Sequence, residues 1–213
     1  MVLNELNHVI EYIEDNLTDD LSLEKISVFA GVPDHHFRKI FFYLSGLTLS
    51  EYIKNKPAFN LVGVSKRVPM QFEGVNDEIV NLAESITDEQ KKEMHSLQNI
   101  EPYEIVNASY DADANFLKEE GYLTHLIGVL TTENKVSDLL EKVPVEACTW
   151  AIFPNEGPFP STLQQTMAKI YSKWLPSSNY EVINAPSFSF TKMNGHKKEN
   201  AYSEIWIPVR KNG

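Results

Sequence analysis

The alternating run AYSEIWIPV, residues 201–209, carries the side chains best suited to hold a ligand. Side chains on a strand alternate between its two faces, so Tyr202, Glu204 and Trp206 share one face and Ser203, Ile205 and Ile207 the other. A carboxylate between aromatic rings suits a lipophilic cation: ring faces supply a negative quadrupole and apolar area, and the acid supplies the counter-charge. Trp150 and Tyr110, on two other strand-like stretches, offer further walls. The same residues fit a second arrangement, in which Trp206 and Tyr202 pack in a core and Glu204 is simply solvated. Residue chemistry by itself leaves both open.

Other chemistry has less support. His35 and His36 are adjacent, and His8, His95, His125 and His196 stand in dissimilar contexts, so no zinc ligand set forms and no metal is expected. Cys148 lies in an apolar stretch and reads as a small buried hydrophobe instead of a nucleophile. There is no phosphate-cradling glycine loop and no nucleophile elbow. No cofactor is expected, and no catalytic residues are assigned. The dense charges at 88–93 read as a solvated helix face.

The elements that would position these residues follow from periodicity. Phe59 to Met70 reads as a strand ending at Pro69; Ile79, Leu82, Ala83 and Ile86 mark a helix; Thr87 with Gln90 forms a capping box that restarts helix to about Leu97. Strands follow at Glu104–Asp111 and Tyr122–Thr132. The order then recurs, with a strand at 145–154, a helix at 161–175 that turns Leu163, Met167, Ile170, Tyr171 and Trp174 inward, and strands at about 187–193 and 202–210. Strand-helix-strand-strand, twice, predicts an α+β domain over 58–213. Its duplicated antiparallel sheet would carry helices on one side and an open, concave opposite face.

The first 56 residues have a different texture. Leu6, Val9, Ile10, Ile13 and Leu17 recur at helical spacing. Ser22 caps a second helix that Gly31 ends, and Phe37, Ile40, Phe41 and Leu44 stripe a third that stops at Gly46. Two short helices joined by a tight glycine turn and braced by a third match the helix-turn-helix unit; an ordinary helical bundle is the alternative. The run LSLEKISVFAGVPDHHFRKIFFYLSGLTLSEYIKNK resembles the first helix-turn-helix of AraC/XylS-type transcription regulators, with Leu23, Ile26, Ala30, Gly31, Val32, Phe37, Phe41, Gly46, Thr48, Tyr52 and Ile53 in the positions of that pattern. The resemblance implies a recognition helix from Asp34 to about Leu44, with His35, His36, Arg38 and Lys39 reaching DNA. Arg38 leads, because a guanidinium grips phosphate or guanine with two hydrogen bonds. Pro33 stands where the family places a capping serine, and Phe42 and Tyr43 where it usually places basic residues. LSEYIKNK occupies the start of the family's long linking helix but runs into Pro57, and nothing after it repeats the pattern of 22–53.

Residues 58–213 resemble the GyrI-like effector-binding domain. The likeness is carried by GPFPSTLQQTMAKIYSKWLPSS, by the strand Glu146–Trp150 entering IFPNEG, and by the closing AYSEIWIPV. It implies recognition of an amphipathic, often cationic or planar, small molecule, and it favours the pocket arrangement for Glu204, Trp206, Tyr202, Trp150 and Tyr110. Family members carry a glutamate and a tyrosine in a P-x-F-E-x-Y stretch where this chain reads Pro186-Ser187-Phe188-Ser189-Phe190-Thr191, which tilts preference away from strongly cationic drugs. Some GyrI-like proteins are similar to hydrolases that open strained rings of planar xenobiotics. That alternative needs Glu204 as acid or base, with Tyr110 or Tyr202 assisting.

Charge and composition bound these readings. The chain has 213 residues and a formal net charge of −11. Residues 1–57 hold five basic and nine acidic side chains, a net of −4, so neither part grips DNA by charge alone and a lone unit would bind DNA weakly unless it forms a homodimer. A module with so few cations could instead serve packing or dimerisation. One cysteine, no signal-peptide pattern and no apolar run near the roughly 18 residues of a membrane span lead to the expectation of a cytoplasmic protein without membrane contact. The combined expectation is a ligand-responsive transcriptional regulator: a helix-turn-helix module over 1–56 and a small-molecule domain over 58–213.

Overall fold

The computed structural model describes residues 52–71, 74–113, 120–193 and 201–212. The helices expected over 1–46, with His35, His36, Arg38 and Lys39, lie outside the described residues. The chain divides into two compact units, Met1–Ile53 and Lys54–Gly213, and nearly all the described residues belong to the second.

Among the described residues nine strands make one sheet: β1 (Tyr52–Lys56), β2 (Phe59–Pro69), β3 (Val106–Tyr110), β4 (Tyr122–Thr131), β5 (Glu141–Val145), β6 (Cys148–Gly157), β7 (Tyr180–Val182), β8 (Ser187–Met193) and β9 (Ala201–Lys211). Their spatial order is β1-β6-β9-β8-β3-β4-β2-β5, with β7 extending β8's side of β9. The order is symmetric about the β8–β3 pair. Strands β2, β3 and β4 of the first half correspond to β6, β8 and β9 of the second, which is the duplication expected from the sequence.

The sequence pattern does not show the exchange of the leading strands. β1 immediately precedes β2 yet pads the outer edge of β6, and β5 immediately precedes β6 yet pads the outer edge of β2. Each leading strand is joined to the next by two residues, Pro57-Ala58 and Glu146-Ala147, and a link of that length reaches about 10 Å. The strands it joins lie at opposite ends of the order, so the sheet must roll until its ends meet. Ring contacts agree: Phe59 on β2 and Trp150 on β6 lie five strands apart, about 24 Å on a flat sheet, yet their centroids are 6.0 Å apart.

Residues 52–56 therefore form a strand, where the sequence resemblance placed the start of a linking helix. Pro57 is one cause, because the residue before a proline is pushed out of the helical region; Tyr52 and Ile53 favour extended backbone as well. The strand expected at 145–154 divides into β5 and β6 across Glu146-Ala147.

The helices cover the outer face. α1 (Asp77–Ser85) is capped by Asn76, whose side chain accepts from the Glu78 amide. α2 (Asp88–Leu97) opens with the Thr87/Gln90 capping box read from the sequence. They bury Leu82, Ile86 and Met94 against Val62, Ile127 and Val129. In the second half α3 (Ser161–Lys169) continues through a π turn at Ile170–Trp174 into a last turn at Leu175–Ser177. Trp174 meets Phe153 edge to face at 4.9 Å and stacks on Tyr180 at 6.1 Å.

Rolling requires that some backbones touch. Gly63 on β2 pairs with Gly128 on β4. A Cβ on Gly63 would lie 2.1 Å from the Ile127 carbonyl oxygen, and one on Gly128 2.1 Å from that of Val62. Since the obstacle is backbone, no rotamer change relieves it. Gly63→Ala is expected to destabilise the unit by about 2 kcal/mol or more, read as a shift in urea midpoint at unchanged slope; a loss under about 0.5 kcal/mol would contradict this account of the bend.

On the outer face of β4, His125 is 6% exposed and its Nε2 lies 3.1 Å from Asn107 Oδ1. Burial pushes its pKa down to about 4, so the folded chain holds it neutral. The unfolded chain takes up the proton near 6.5. Stability from this group is thus complete above about pH 6.5 and lost as pH falls toward 4, by up to about 3 kcal/mol. The stability difference between the parent and His125→Gln should be level above pH 7 and shrink below pH 6; a difference independent of pH down to 4 would show that His125 titrates normally.

Candidate functional site

The inner face of the rolled sheet carries no helix among the described residues. Register places Phe59 and Leu61 of β2, Val145 of β5, Leu126 and Leu130 of β4, Val106 and Ala108 of β3, Phe188 and Phe190 of β8, Trp206 of β9, and Trp150 and Ile152 of β6 in one cluster. Its centre is aromatic. Trp206 stacks on Phe188 with centroids 5.1 Å apart, Trp150 lies 5.1 Å from Phe188 and 6.1 Å from Trp206, and Phe59 closes the group.

Glu204 sits at the margin of this cluster, partly buried. As expected from alternation, it shares its face with Tyr202 and Trp206; its cross-strand neighbours are Phe190 and Pro154. The Tyr202 hydroxyl donates to Glu204 Oε1 at 2.6 Å and the Trp206 indole N–H donates to Oε2 at 2.9 Å. Hydrogen bonds to a carboxylate are the strong kind, worth ~1.5–3 kcal/mol each. The two donors hold both oxygens in place, and each oxygen keeps lone-pair capacity for a further donor or cation.

The other expected walls divide. Trp150 has 0% exposure and belongs to the floor of the aromatic cluster; its indole N–H is buried without an acceptor among the described residues. A buried donor left unmatched by protein is uncommon. Tyr110 lies on the same inner face but engages a different acid, its hydroxyl donating to Glu141 Oε1 at 2.7 Å while Ser65 donates to Oε2. Burial first, and then the bond to Glu141, push the Tyr110 phenol pKa up. Cys148 packs at the edge of the cluster, and burial raises its thiol pKa. A protonated thiol of this kind is a poor nucleophile.

Two lysines complete the site, and neither was singled out from the sequence. Lys56 Nζ lies over the rings of Trp206 and Phe59, 5.6 and 5.7 Å from their centroids, and donates to the Glu101 carbonyl. Lys192 Nζ lies 5.6 Å from the Phe190 centroid and pairs with Glu104 at 2.7 Å. The bond to Glu104 is the main reason its pKa is raised, with smaller help from the charges of Glu204 and Glu101. The aromatic face is therefore a cation-accepting surface already in this structure. Nothing local in the sequence marks Lys56 for this role, because it arrives only through the exchange of β1. Lys192 could have been found from its alternation with Phe188 and Phe190.

Similar proteins were found at three levels. Over 51 residues the chain is 35% identical to the multiple antibiotic resistance protein MarA of Escherichia coli K12; the match takes in 24% of this chain and only 40% of MarA. The structure of SAV2435 bound to tetraphenylphosphonium shares the fold at TM-score 0.57 and 17% identity, covering 75% of this chain and 93% of that one. A cryo-EM structure of EcmrR with DNA, in EcmrR-RPo, aligns at TM-score 0.54 and 14% identity, covering 98% of this chain and 81% of the other. The model of the GyrI-like small molecule binding domain matches residues 52–210, and this chain belongs to that family.

Proposed function

We propose that this protein is a ligand-responsive transcriptional regulator whose GyrI-like domain takes an amphipathic cation on its inner face. Glu204 supports the reading most directly. A carboxylate at the edge of an aromatic cluster, gripped by Tyr202 and Trp206 and left with free lone pairs, is a counter-charge positioned beside ring faces. Trp206 and Tyr202 form the wall and Trp150 the floor. Tyr110 lines the far part of the same face through its bond to Glu141.

Cation binding also has a direct analogue in the chain. The Lys56 ammonium lies over Trp206, so the ring surface accepts positive charge within cation–π range. The tetraphenylphosphonium complex of SAV2435, which has the same fold, supports a bulky lipophilic cation as the ligand class. The absence of a glutamate at Ser189 favours ligands whose single charge is spread over apolar groups.

The DNA half of the proposal rests on the AraC-type pattern of residues 22–53, with Arg38, Lys39, His35 and His36 as contacts, and is supported by the likenesses to MarA and to EcmrR in its DNA complex. With a net of −4 over residues 1–57, affinity would depend on pairing two chains. A homodimer working in the cytoplasm follows from this reading. Control by ligand requires that the ligand bind two states of the protein unequally.

Titration of the intact chain with tetraphenylphosphonium, followed by tryptophan fluorescence, tests the ligand half. Glu204→Gln keeps the volume and one acceptor oxygen, turns the other into an amide donor and removes the charge, and should weaken binding about tenfold, or about 1.4 kcal/mol; unchanged affinity would place the cation elsewhere. A gel-shift assay on DNA upstream of the encoding gene, at low salt and with or without the cation, tests the other half. A retarded band that responds to the cation is expected, and no retardation in either condition would remove the regulator reading.

A further inference from the structure

Lys56 already occupies the wall that the proposed ligand needs. It is the last residue of β1, partly buried, with its ammonium over the Trp206 ring, and the N–H of that same indole holds Glu204. Phe59, the second ring it covers, packs on Trp150 and Phe188 in the aromatic cluster. A bulky lipophilic cation seated beside Glu204 and on Trp206 would meet the ammonium at close range. Two like charges there repel, and one ring face gives contact distance to only one of them.

The seat is unfavourable for lysine in its own right. Burial lowers the Lys56 pKa and Lys54 adds repulsion, while the charge of Glu101 offsets part of both. A primary ammonium is strongly hydrated, and among the described residues its hydrogen-bond acceptor is the Glu101 carbonyl. Returning it to water recovers hydration. A cation wrapped in apolar groups loses less hydration at the same place and gains more ring contact, so exchanging one for the other is favourable where adding the second to the first is not.

The position of Lys56 in the chain gives the exchange a consequence. β1 spans the junction at Ile53 and Lys54 between the two compact units. The far end of β1 is held to the sheet by its pairing with β6, including the bond from Thr149 Oγ1 to Asn55 Oδ1 at 2.7 Å, and by the Lys56 contacts. We propose that Lys56 is a built-in competitor for the cation seat on Trp206, and that a ligand cation must expel it, loosening the end of the strand that leads to the N-terminal unit. This deepens the reading of the site given above and rests on it.

The test uses the intact chain and tetraphenylphosphonium as probe. Lys56→Met removes the competing charge and keeps a flexible apolar stem; it should tighten binding about tenfold, while Lys56→Arg stays within about threefold of the parent. In the unsubstituted chain the Lys56 ε-methylene protons should be shifted upfield by the Trp206 and Phe59 ring currents and return toward ordinary positions as the probe saturates. Equal affinity of the parent and Lys56→Met overturns the competitor role and leaves the cation site standing. Binding with the Lys56 resonances unmoved does the same. Absence of binding by parent and Lys56→Met alike overturns the site itself, and the proposal with it.

Discussion

Two links of two residues each govern this fold. Pro57-Ala58 and Glu146-Ala147 tie strands that lie at opposite ends of the sheet order, and a flat sheet of these dimensions could not be connected that way. Rolling is the solution, and it shapes everything else. The inner face becomes a concave surface on which Phe59 of one half touches Trp150 of the other. The backbone must pinch where β2 meets β4, and Gly63 and Gly128 stand at the pinch. Among the described residues the helices lie on the outer face, where Leu82, Met94, Ile170 and Trp174 find their partners.

An inner face made this way is rich in rings and poor in polar partners. A carboxylate there needs donors, and Glu204 takes them from its own strand two residues to either side. This local solution gives the acid a fixed orientation, which a solvated surface glutamate lacks. The ammonium of Lys56 stands on the neighbouring indole. The same rolling that brings β1 beside β6 brings that lysine to the ring.

Much of this was legible in the sequence because it was local. The capping box at Thr87 and Gln90, the alternation that puts Tyr202, Glu204 and Trp206 together, and the span of β8 all depend on residues a few positions apart. The strand at 52–56 was obscured, because the helical pattern before it runs on through Tyr52 and Ile53, and only Pro57 signals the change. The exchange of β1 and β5 was not legible at all: it is a relation between edges far apart in the chain. For that reason nothing near Lys56 in the chain marks it as a cation that will lie on a ring. Tyr110, expected as a further wall, lies on the inner face, and its partner Glu141 enters through β5, the other exchanged strand. Trp150, expected as a further wall, is fully buried in the aromatic cluster with its N–H hidden, which only the packing reveals.

The central claim is that the inner face beside Glu204 receives the ligand. Intermolecular proton contacts between tetraphenylphosphonium and the intact chain, measured by nuclear Overhauser spectroscopy, test it most directly. Contacts are expected from the phenyl protons to the ring protons of Trp206 and Tyr202, with none to Met94 or Trp174 on the helical side. Contacts confined to the helical side, or a bound probe that touches neither Trp206 nor Tyr202, would contradict it.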